Sequence, residues 1–364
     1  MSRYKFEFKH KARKDNIGLL EDLKKARLLD DRNLKKVYIE LCTRCPGSCK
    51  HCYFADFRNT KEFSFDEVKS MLTLFSKNGV NAITWAGGDP ILRDDLFEII
   101  ELCKELNIMQ TFCTRGWIDF LDKTCKVADS GVQHIQFSTD PTLCDTNIDE
   151  ECERIKTMNK FTVNKGVHIS WVVTLAKGIE KYIPKLCETI LNSGGSEFRI
   201  HRIVPFGKIT NYPFLIPTNE EFENCMKNFT NYFFEEYKEG HLYAEECTLG
   251  FLNWFPKKYS DRISLIGCPI GQTALTIRCD GAVFLCPLAK HEKLKLSDNW
   301  NNIFDIWQKF QSTNPFEIGK FKGTVCEKCN HFDSCRGGCR CQAVANGFNI
   351  WDPDPCCPKI KRNG

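Results

Sequence analysis

Beginning at Lys36, short apolar runs alternate with amphipathic stretches along the first half of the chain. KVYIEL (36–41), AITWAGG (82–88), MQTFCTR (109–115), HIQFSTD (134–140), VHISWVVT (167–174) and EFRIHRIVPFG (197–207) have the length and β-branched content of buried strands. Between them, residues 65–77, 95–106, 117–128, 150–164 and 180–191 have helical periodicity. Ser64 ahead of the first helix, and Gly79, Gly131 and Gly194 near the ends of others, fit the cap and stop preferences of helices. Six strand–helix units imply a parallel sheet with helices outside, curled as a partial barrel, with chemistry gathered at the C-terminal ends of the strands. Period-two alternation sets Gln136, Ser138 and Asp140 on one face of the fourth strand and Ile135, Phe137 and Thr139 on the other. A further helix is expected over 219–237, after which aromatics and turn residues take over. DGAVFLC (280–286) reads as a hairpin turning at Asp280-Gly281. Before Lys36, GLLEDLKKARLLDDRNLKK reads as one charged amphipathic helix covering the barrel.

Composition narrows the partners. Lys and Arg number 51 against 47 Asp and Glu, a net charge of +4, too mild to point to nucleic acid. The N-terminus has charge but no apolar core for a signal peptide, and no apolar run approaches the ~18 residues of a membrane span. A soluble, cytoplasmic protein is expected, and there its 22 cysteines stay reduced and available as metal ligands. Cys103, Cys125, Cys152, Cys187 and Cys225 stand alone in helical stretches and read as small buried hydrophobes. The clustered cysteines are different. Cys45, Cys49 and Cys52, with three and then two residues between them, stand in the loop after the first strand, at the mouth of the barrel. Three thiolates on an iron–sulfur cluster leave one iron open, as a catalytic metal site requires.

Cys45-x3-Cys49-x2-Cys52 followed by Tyr53 resembles the signature of radical S-adenosylmethionine (radical SAM) enzymes. The resemblance implies a partial (β/α)6 TIM-like barrel and a 4Fe–4S cluster whose open iron is chelated by S-adenosylmethionine. It also implies reductive cleavage of that cofactor to a 5′-deoxyadenosyl radical, which abstracts a hydrogen atom from substrate. AGGDP (86–90) is similar to the family's GGEP segment, with Asp89 where Glu is usual. By that resemblance Gly87, Gly88 and Asp89 hold the amino end of the cofactor, Ser138 and Asp140 its ribose, and Ser170 the nucleoside. VPFG (204–207) resembles the segment that backs the adenine.

Cysteines return in CPIGQTALTIRCDGAVFLC, CEKCNHFDSCRGGC and a final CC. Their order resembles the seven-cysteine SPASM extension, which binds two auxiliary 4Fe–4S clusters with interlaced ligands. The resemblance assigns Cys268, Cys286 and Cys339 to the first, and Cys326, Cys329, Cys335 and either Cys356 or Cys357 to the second. The further cysteine that many relatives place just before the first motif cysteine is missing here. Cys247 reaching back, Cys279, Cys341 or an open iron are the alternatives. The implied division is an N-terminal helical extension (1–35), the barrel (36–215), a linker helix region (216–262) and the SPASM domain (263–364). A multi-zinc protein would explain the cysteine clusters, but not three thiolates in a barrel mouth followed by glycine and Ser-x-Asp motifs on later strands.

The substrate expected from the resemblance is a peptide or protein that is crosslinked, epimerised or oxidised. The alternative is oxidation or epimerisation of a sugar, cyclitol or other small natural-product precursor. Cys113 is a candidate hydrogen-atom donor and Arg115 a candidate carboxylate or phosphate binder at the end of the third strand. A flavodoxin or ferredoxin is the expected reductant. Because the 35 residues before Lys36 are shorter than the leader-recognition domains of peptide-crosslinking relatives, a leader peptide is expected to be recognised elsewhere, by a separate leader-recognition protein, or not at all.

Overall fold

The computed structural model describes residues 32–360 apart from 196, 238–241, 245–262, 266–267, 289–290 and 316. Most of the charged helix expected before Lys36, and the candidate ligand Cys247, lie outside the described residues; residues 32–35, at the end of that stretch, are not helical.

The six strand–helix units form in the expected order. They are β1 (Lys36–Cys42), α1 (Phe65–Lys77), β2 (Ala82–Gly87), α2 (Leu96–Glu105), β3 (Met109–Thr114), α3 (Leu121–Asp129), β4 (His134–Ser138), α4 (Ile148–Thr162), β5 (His168–Leu175), α5 (Ile183–Asn192) and β6 (Glu197–Arg202). Strands β1 to β6 pair in parallel in chain order. Local chemistry sets the ends. The Ser64 side chain accepts from Glu67 N–H and the Glu67 carboxylate from Ser64 N–H, a reciprocal cap that starts α1. Asn147 and Glu150 cap α4 in the same way. The third helix begins at Leu121 rather than Trp117 because Ile118–Phe120 is a 3₁₀ turn. Strand β6 ends at Arg202, and the VPFG segment expected to continue it turns out of the sheet.

α6 (Asn219–Glu236) follows, with the short β7 (Leu242–Ala244) and β8 (Ile263–Leu265) forming a two-stranded sheet of their own. The C-terminal quarter then extends the barrel sheet. β9 (Ala274–Ile277) pairs in parallel with β1, and β10 (Val283–Phe284) folds back antiparallel, followed by β11 (Lys295–Ser297). The β9–β10 turn is the expected hairpin, with Arg278 N–H donating 2.9 Å to Ala282 O. α7 (Ile303–Gln311), the single turn α8 (Phe332–Cys335) and α9 (Arg340–Ala345) complete the chain.

Alternation decides what each strand face meets. Ile39, Trp85, Phe112, Phe137 and Trp171 are fully buried and belong to one continuous core between sheet and helices. Apolar burial of this extent supplies the main stabilisation. Trp171 Nε1 donates 2.8 Å to Asn159 Oδ1 on α4, satisfying the one polar atom this packing buries on the indole. The opposite strand faces are polar and line the barrel interior. Register brings Thr111, His134 and His168 into one layer, Cys113, Gln136, Ser170 and Glu197 into the next, and Ser138, Val172 and Arg199 into the layer nearer the mouth.

At its root, the loop after β2 is held to the loop after β1 by backbone hydrogen bonds. Gly88 N–H donates 2.7 Å to Cys42 O and Asp89 N–H donates 2.8 Å to Arg44 O. A Cβ on Gly87 would stand 2.4 Å from Cys42 O, and one on Gly88 would stand 2.3 Å from Arg44 O. Only glycine permits that approach. Gly88→Ala is therefore expected to separate the loops and cost about 1–3 kcal/mol in urea unfolding. Gly79→Ala, at φ +80° in open space, is expected to cost only about 1 kcal/mol. Equal losses for the two variants would contradict this packing.

Candidate active site

Cys45, Cys49 and Cys52 lie between the β1 end and Tyr53, a half-buried loop at the C-terminal mouth of the barrel. Arg58, later in the same connection, and three other loops clamp it. Arg58 donates to Gly47 O and reaches Cys52 Sγ at 3.5 Å from its second guanidinium nitrogen. The β6 exit loop donates from Lys208 N–H to Cys52 O at 3.2 Å and from Lys208 Nζ to Ser48 O at 2.9 Å. The β4–α4 loop accepts at Leu143 O from Lys50 N–H, 2.8 Å, and pairs Asp145 with Lys50 Nζ at 2.5 Å. Gly47 sits against the Trp117 ring, where a Cβ would approach to 2.7 Å. Burial pushes the Cys45 thiol up to about 11. The Cys144 thiol donates to Cys49 Sγ at 3.0 Å and holds the Cys49 thiol well below its ordinary value. The set is all-thiolate, confined to one short loop and backed by a guanidinium, a donor chemistry that fits an iron–sulfur cluster with one iron left without a protein ligand.

The predicted cofactor-binding residues divide into two groups. Gly87 and Gly88 shape the floor beside the cysteine loop. Asp89 is fully buried and bonded within the protein. Its Oδ1 accepts from Ile91 N–H at 3.2 Å, and its Oδ2 accepts from Thr114 Oγ1 at 2.7 Å, Trp117 Nε1 at 2.9 Å and Arg115 N–H at 3.3 Å. Burial raises its carboxyl to about 6 against the pull of those donors. Asp89 thus ties the β2 and β3 exit loops together. Asp140 is likewise buried, its Oδ1 accepting 2.6 Å from Thr174 N–H and its Oδ2 lying 3.5 Å from His51 Nε2. Ser138 ends β4, with its carbonyl taken by Arg154 at 2.7 Å. Ser170 lies lower in the barrel interior, bonded to His134 Nε2 at 2.7 Å rather than standing at the rim.

Of the two candidate catalytic residues, Cys113 faces the interior, with Gln136 Nε2 3.6 Å from its sulfur and its thiol pushed up to about 11 by burial. Arg115 is turned away from any free role at the rim. Its guanidinium donates 2.9 Å to Glu151 and stacks 5.6 Å from the Trp117 ring. Burial favours a neutral Glu151, but Arg154 and Arg115 together outweigh it and keep the carboxylate ionised. Below Cys113, Glu197 bonds His168 Nε2 at 2.7 Å and Arg199 Nε at 2.5 Å. Although Glu197 is half-buried, Arg199 and His168 hold its carboxyl far below the ordinary range. Cys113, Gln136, Glu197 and Arg199 are half-buried, so the interior is charged and partly accessible.

The later cysteines form two groups. Cys286, Cys339 and Cys341 are buried together with Leu285, Leu294 and Val344, and the Cys341 thiol bonds both of the other two sulfurs. Cys326 packs with Cys329 between Phe321 and Phe332, and the charge of Cys357 acts on Cys326. Lys359 Nζ stands 3.2 Å from Cys329 Sγ. Cys356 faces away, bonding Asn219 Oδ1 on α6. Cys279 lies apart, 3.8 Å from Thr60 Oγ1. Asp354 pins the whole segment to β6, accepting from Arg202 at 3.0 and 2.5 Å and from Cys339 N–H at 2.9 Å.

Sequence reasoning missed Arg58, Trp117 and Cys144. Trp117 stands two residues after Arg115 at a strand end, which is a weak signal, and Cys144 is 95 residues from the sulfur it touches.

With this geometry in view, comparison with known proteins is decisive for the barrel. A sequence model of the Radical SAM superfamily matches residues 39–183. That segment is a radical SAM domain. Among characterised relatives, an AdoMet-dependent heme synthase of Oleidesulfovibrio alaskensis is 24% identical over 96% of this chain and 94% of its own. A PqqA peptide cyclase of Rhodopseudomonas palustris is 24% identical over 88% of this chain and 86% of its own. Streptococcus suis SuiB, solved bound to its precursor peptide SuiA, superposes with a TM-score of 0.64 at 14% identity over 98% of this chain and 83% of its own. That likeness extends the shared fold past the barrel. The radical SAM domain makes this chain an enzyme. Among the described residues, no helix is long and apolar enough to cross a membrane.

The Asp89 network makes a direct prediction. Asp89→Asn sets an amide N–H₂ against at least one of four donors and should cost about 1–3 kcal/mol of stability. An unchanged thermal or urea midpoint would show that the carboxylate does not hold these loops.

Proposed function

We propose that this radical SAM enzyme modifies a peptide, abstracting a hydrogen atom from a residue drawn into the polar interior beneath the cysteine loop. The single observation that carries the proposal is the position of Cys45, Cys49 and Cys52 over an interior lined by Cys113, Gln136, Glu197 and Arg199. In this reading Cys45, Cys49 and Cys52 hold a 4Fe–4S cluster. With S-adenosylmethionine bound, that cluster supplies the one-electron cleavage that yields the hydrogen-abstracting 5′-deoxyadenosyl radical. The chain's own residues do the rest. Gly87 and Gly88 let cofactor and backbone approach closely, Asp89 and Asp140 fix the loops around it, and Ser138 stands nearest the rim on β4. Arg58 offsets the negative charge of the thiolates. Cys113 is the hydrogen-atom donor toward a substrate radical if the outcome is epimerisation.

The peptide reading draws on the PqqA peptide cyclase and on SuiB with its precursor peptide. The heme synthase spans as much of the chain, so a tetrapyrrole belongs in the same assay.

The later cysteines are proposed to hold two auxiliary 4Fe–4S clusters in a SPASM-type domain. Cys341 would join Cys268, Cys286 and Cys339 on the first, and Cys357 would join Cys326, Cys329 and Cys335 on the second. The thiol contacts of Cys341 and the engagement of Cys356 by Asn219 support these choices. Electrons would come from a flavodoxin or ferredoxin, and a separate protein would present a leader peptide.

Two outcomes are expected. Anaerobically reconstituted protein, given dithionite and S-adenosylmethionine, should release 5′-deoxyadenosine, with label transferred from a deuterated precursor peptide. Release without label from any peptide, but with label from a tetrapyrrole, would replace the substrate assignment. Cys357→Ser and Cys341→Ser should each lose about a third of the bound iron, or perturb the spectrum of one cluster, while Cys356→Ser keeps both. Iron loss from Cys356→Ser alone would reverse the choice.

A further inference from the structure

Each sulfur of the cysteine loop meets its own hydrogen-bond donor, and the three donors differ in kind. Cys45 takes the N–H of Gly47, within the same loop. Cys52 takes Arg58, whose guanidinium stands 3.5 Å from its Sγ and also donates to Gly47 O. Cys49 takes the thiol of Cys144, 3.0 Å away. The first two donors are neighbours in the chain. The third comes from 95 residues away and belongs to no motif.

The fold holds Cys144 in place for this contact. At the start of the β4–α4 loop, Thr139 N–H donates 2.8 Å to Val172 O, and Asp140 Oδ1 accepts 2.6 Å from Thr174 N–H, so the loop leaves the barrel pinned to β5. The Asp140 carbonyl then accepts from Leu143 N–H at 3.1 Å and Cys144 N–H at 2.9 Å, closing a tight turn. Leu143 is fully buried with Ala176, Ile203 and Ile209, which anchors the turn against the exits of β5 and β6. Lys50 fastens it from the other side. Its N–H donates 2.8 Å to Leu143 O and its Nζ pairs with Asp145 at 2.5 Å. Cys49 and Cys144 therefore meet from two fixed loops, and both are half-buried.

A cysteine that ligates iron is a thiolate and only accepts, so the proton of this contact belongs to Cys144. Hydrogen bonds to ligand sulfurs draw charge from an iron–sulfur cluster and favour the reduced form, which carries one more electron. Partial burial strengthens the effect. We propose that Cys144 is a positioning residue for the redox step: acting through Cys49 Sγ, it raises the reduction potential of the cluster that the cysteine loop holds. The step is a one-electron reduction by an external donor such as dithionite, and no proton moves in it, because Cys144 keeps its own. This inference rests on the reading of Cys45, Cys49 and Cys52 as cluster ligands, and adds to it a residue outside the ligand set.

The test is a redox titration of the anaerobically reconstituted full chain, followed by electron paramagnetic resonance. The signal that changes on addition of S-adenosylmethionine identifies the cluster of the cysteine loop among any others the chain holds. Cys144→Val, similar in volume but without a donor, should shift the one-electron equilibrium toward the oxidised form by about three- to tenfold, up to ~59 mV in midpoint. Cys144→Ser, which keeps a hydroxyl donor, should recover most of that shift. Asp145→Asn, which loosens the tie to Lys50 and leaves the thiol in place, should keep the parent midpoint. Iron analysis and circular dichroism melts confirm that the variants are loaded and folded alike. As a second measurement, the reduced parent exchanged into deuterium oxide should show a deuteron coupling, by electron–nuclear double resonance, that is altered in Cys144→Ser. A Cys144→Val midpoint equal to the parent's would overturn the inference, as would identical deuteron spectra in parent and Cys144→Ser. An equal shift in Asp145→Asn would assign the effect to loop packing and overturn it too. Absence of any signal that responds to S-adenosylmethionine, in parent and variants alike, would instead contradict the cluster reading itself.

Discussion

Backbone packing between two strand-end loops is the constraint on which the site depends. Gly88 and Asp89 donate their amides to carbonyls at Cys42 and Arg44, just before Cys45. No side chain intervenes, and none fits. The three thiols are therefore placed by the sheet itself, through β1 and β2, with little dependence on the mobility of a long loop. The other clamps, Arg58, Lys208 and the Leu143 carbonyl, act on a loop whose root is already fixed.

From that root the polarity of the barrel follows. Helix-facing positions carry Trp85, Phe112, Phe137 and Trp171, while interior positions carry groups that need partners, among them His134, Ser170, His168, Glu197 and Arg199. Buried charge of this kind adds little to stability when paired and costs much when unpaired. A second buried pair, Arg202 with Asp354, ties the cysteine-rich quarter to the end of β6. The sheet makes the same connection through β9 against β1. The C-terminal cysteines are thereby mounted on the barrel that holds the first three.

Period-two alternation and reciprocal caps are local signals, and for that reason the strands, α1 and the hairpin at Gly281 were legible from the chain alone. The three-cysteine loop was legible for the same reason. Contacts between distant loops were not. Nothing around Cys144 marks it as a neighbour of Cys49, because the pairing of β3, β4 and β5 creates that proximity. From the chain, Asp89 read as a cofactor contact and Arg115 as a carboxylate or phosphate binder, and nothing local showed that Trp117, Thr114 and Glu151 engage them in the folded chain. The choice between adjacent Cys356 and Cys357 likewise turns on Asn219, on a helix more than a hundred residues earlier.

The central claim is that the Cys45–Cys49–Cys52 loop leaves one iron for the cofactor to occupy. Electron–nuclear double resonance on the reduced, anaerobic protein measures this directly, using S-adenosylmethionine labelled with nitrogen-15 in the amino group and oxygen-17 in the carboxylate. The account predicts hyperfine coupling from both labels, lost in Cys49→Ala. A reduced cluster whose spectrum carries neither coupling at saturating cofactor would contradict it.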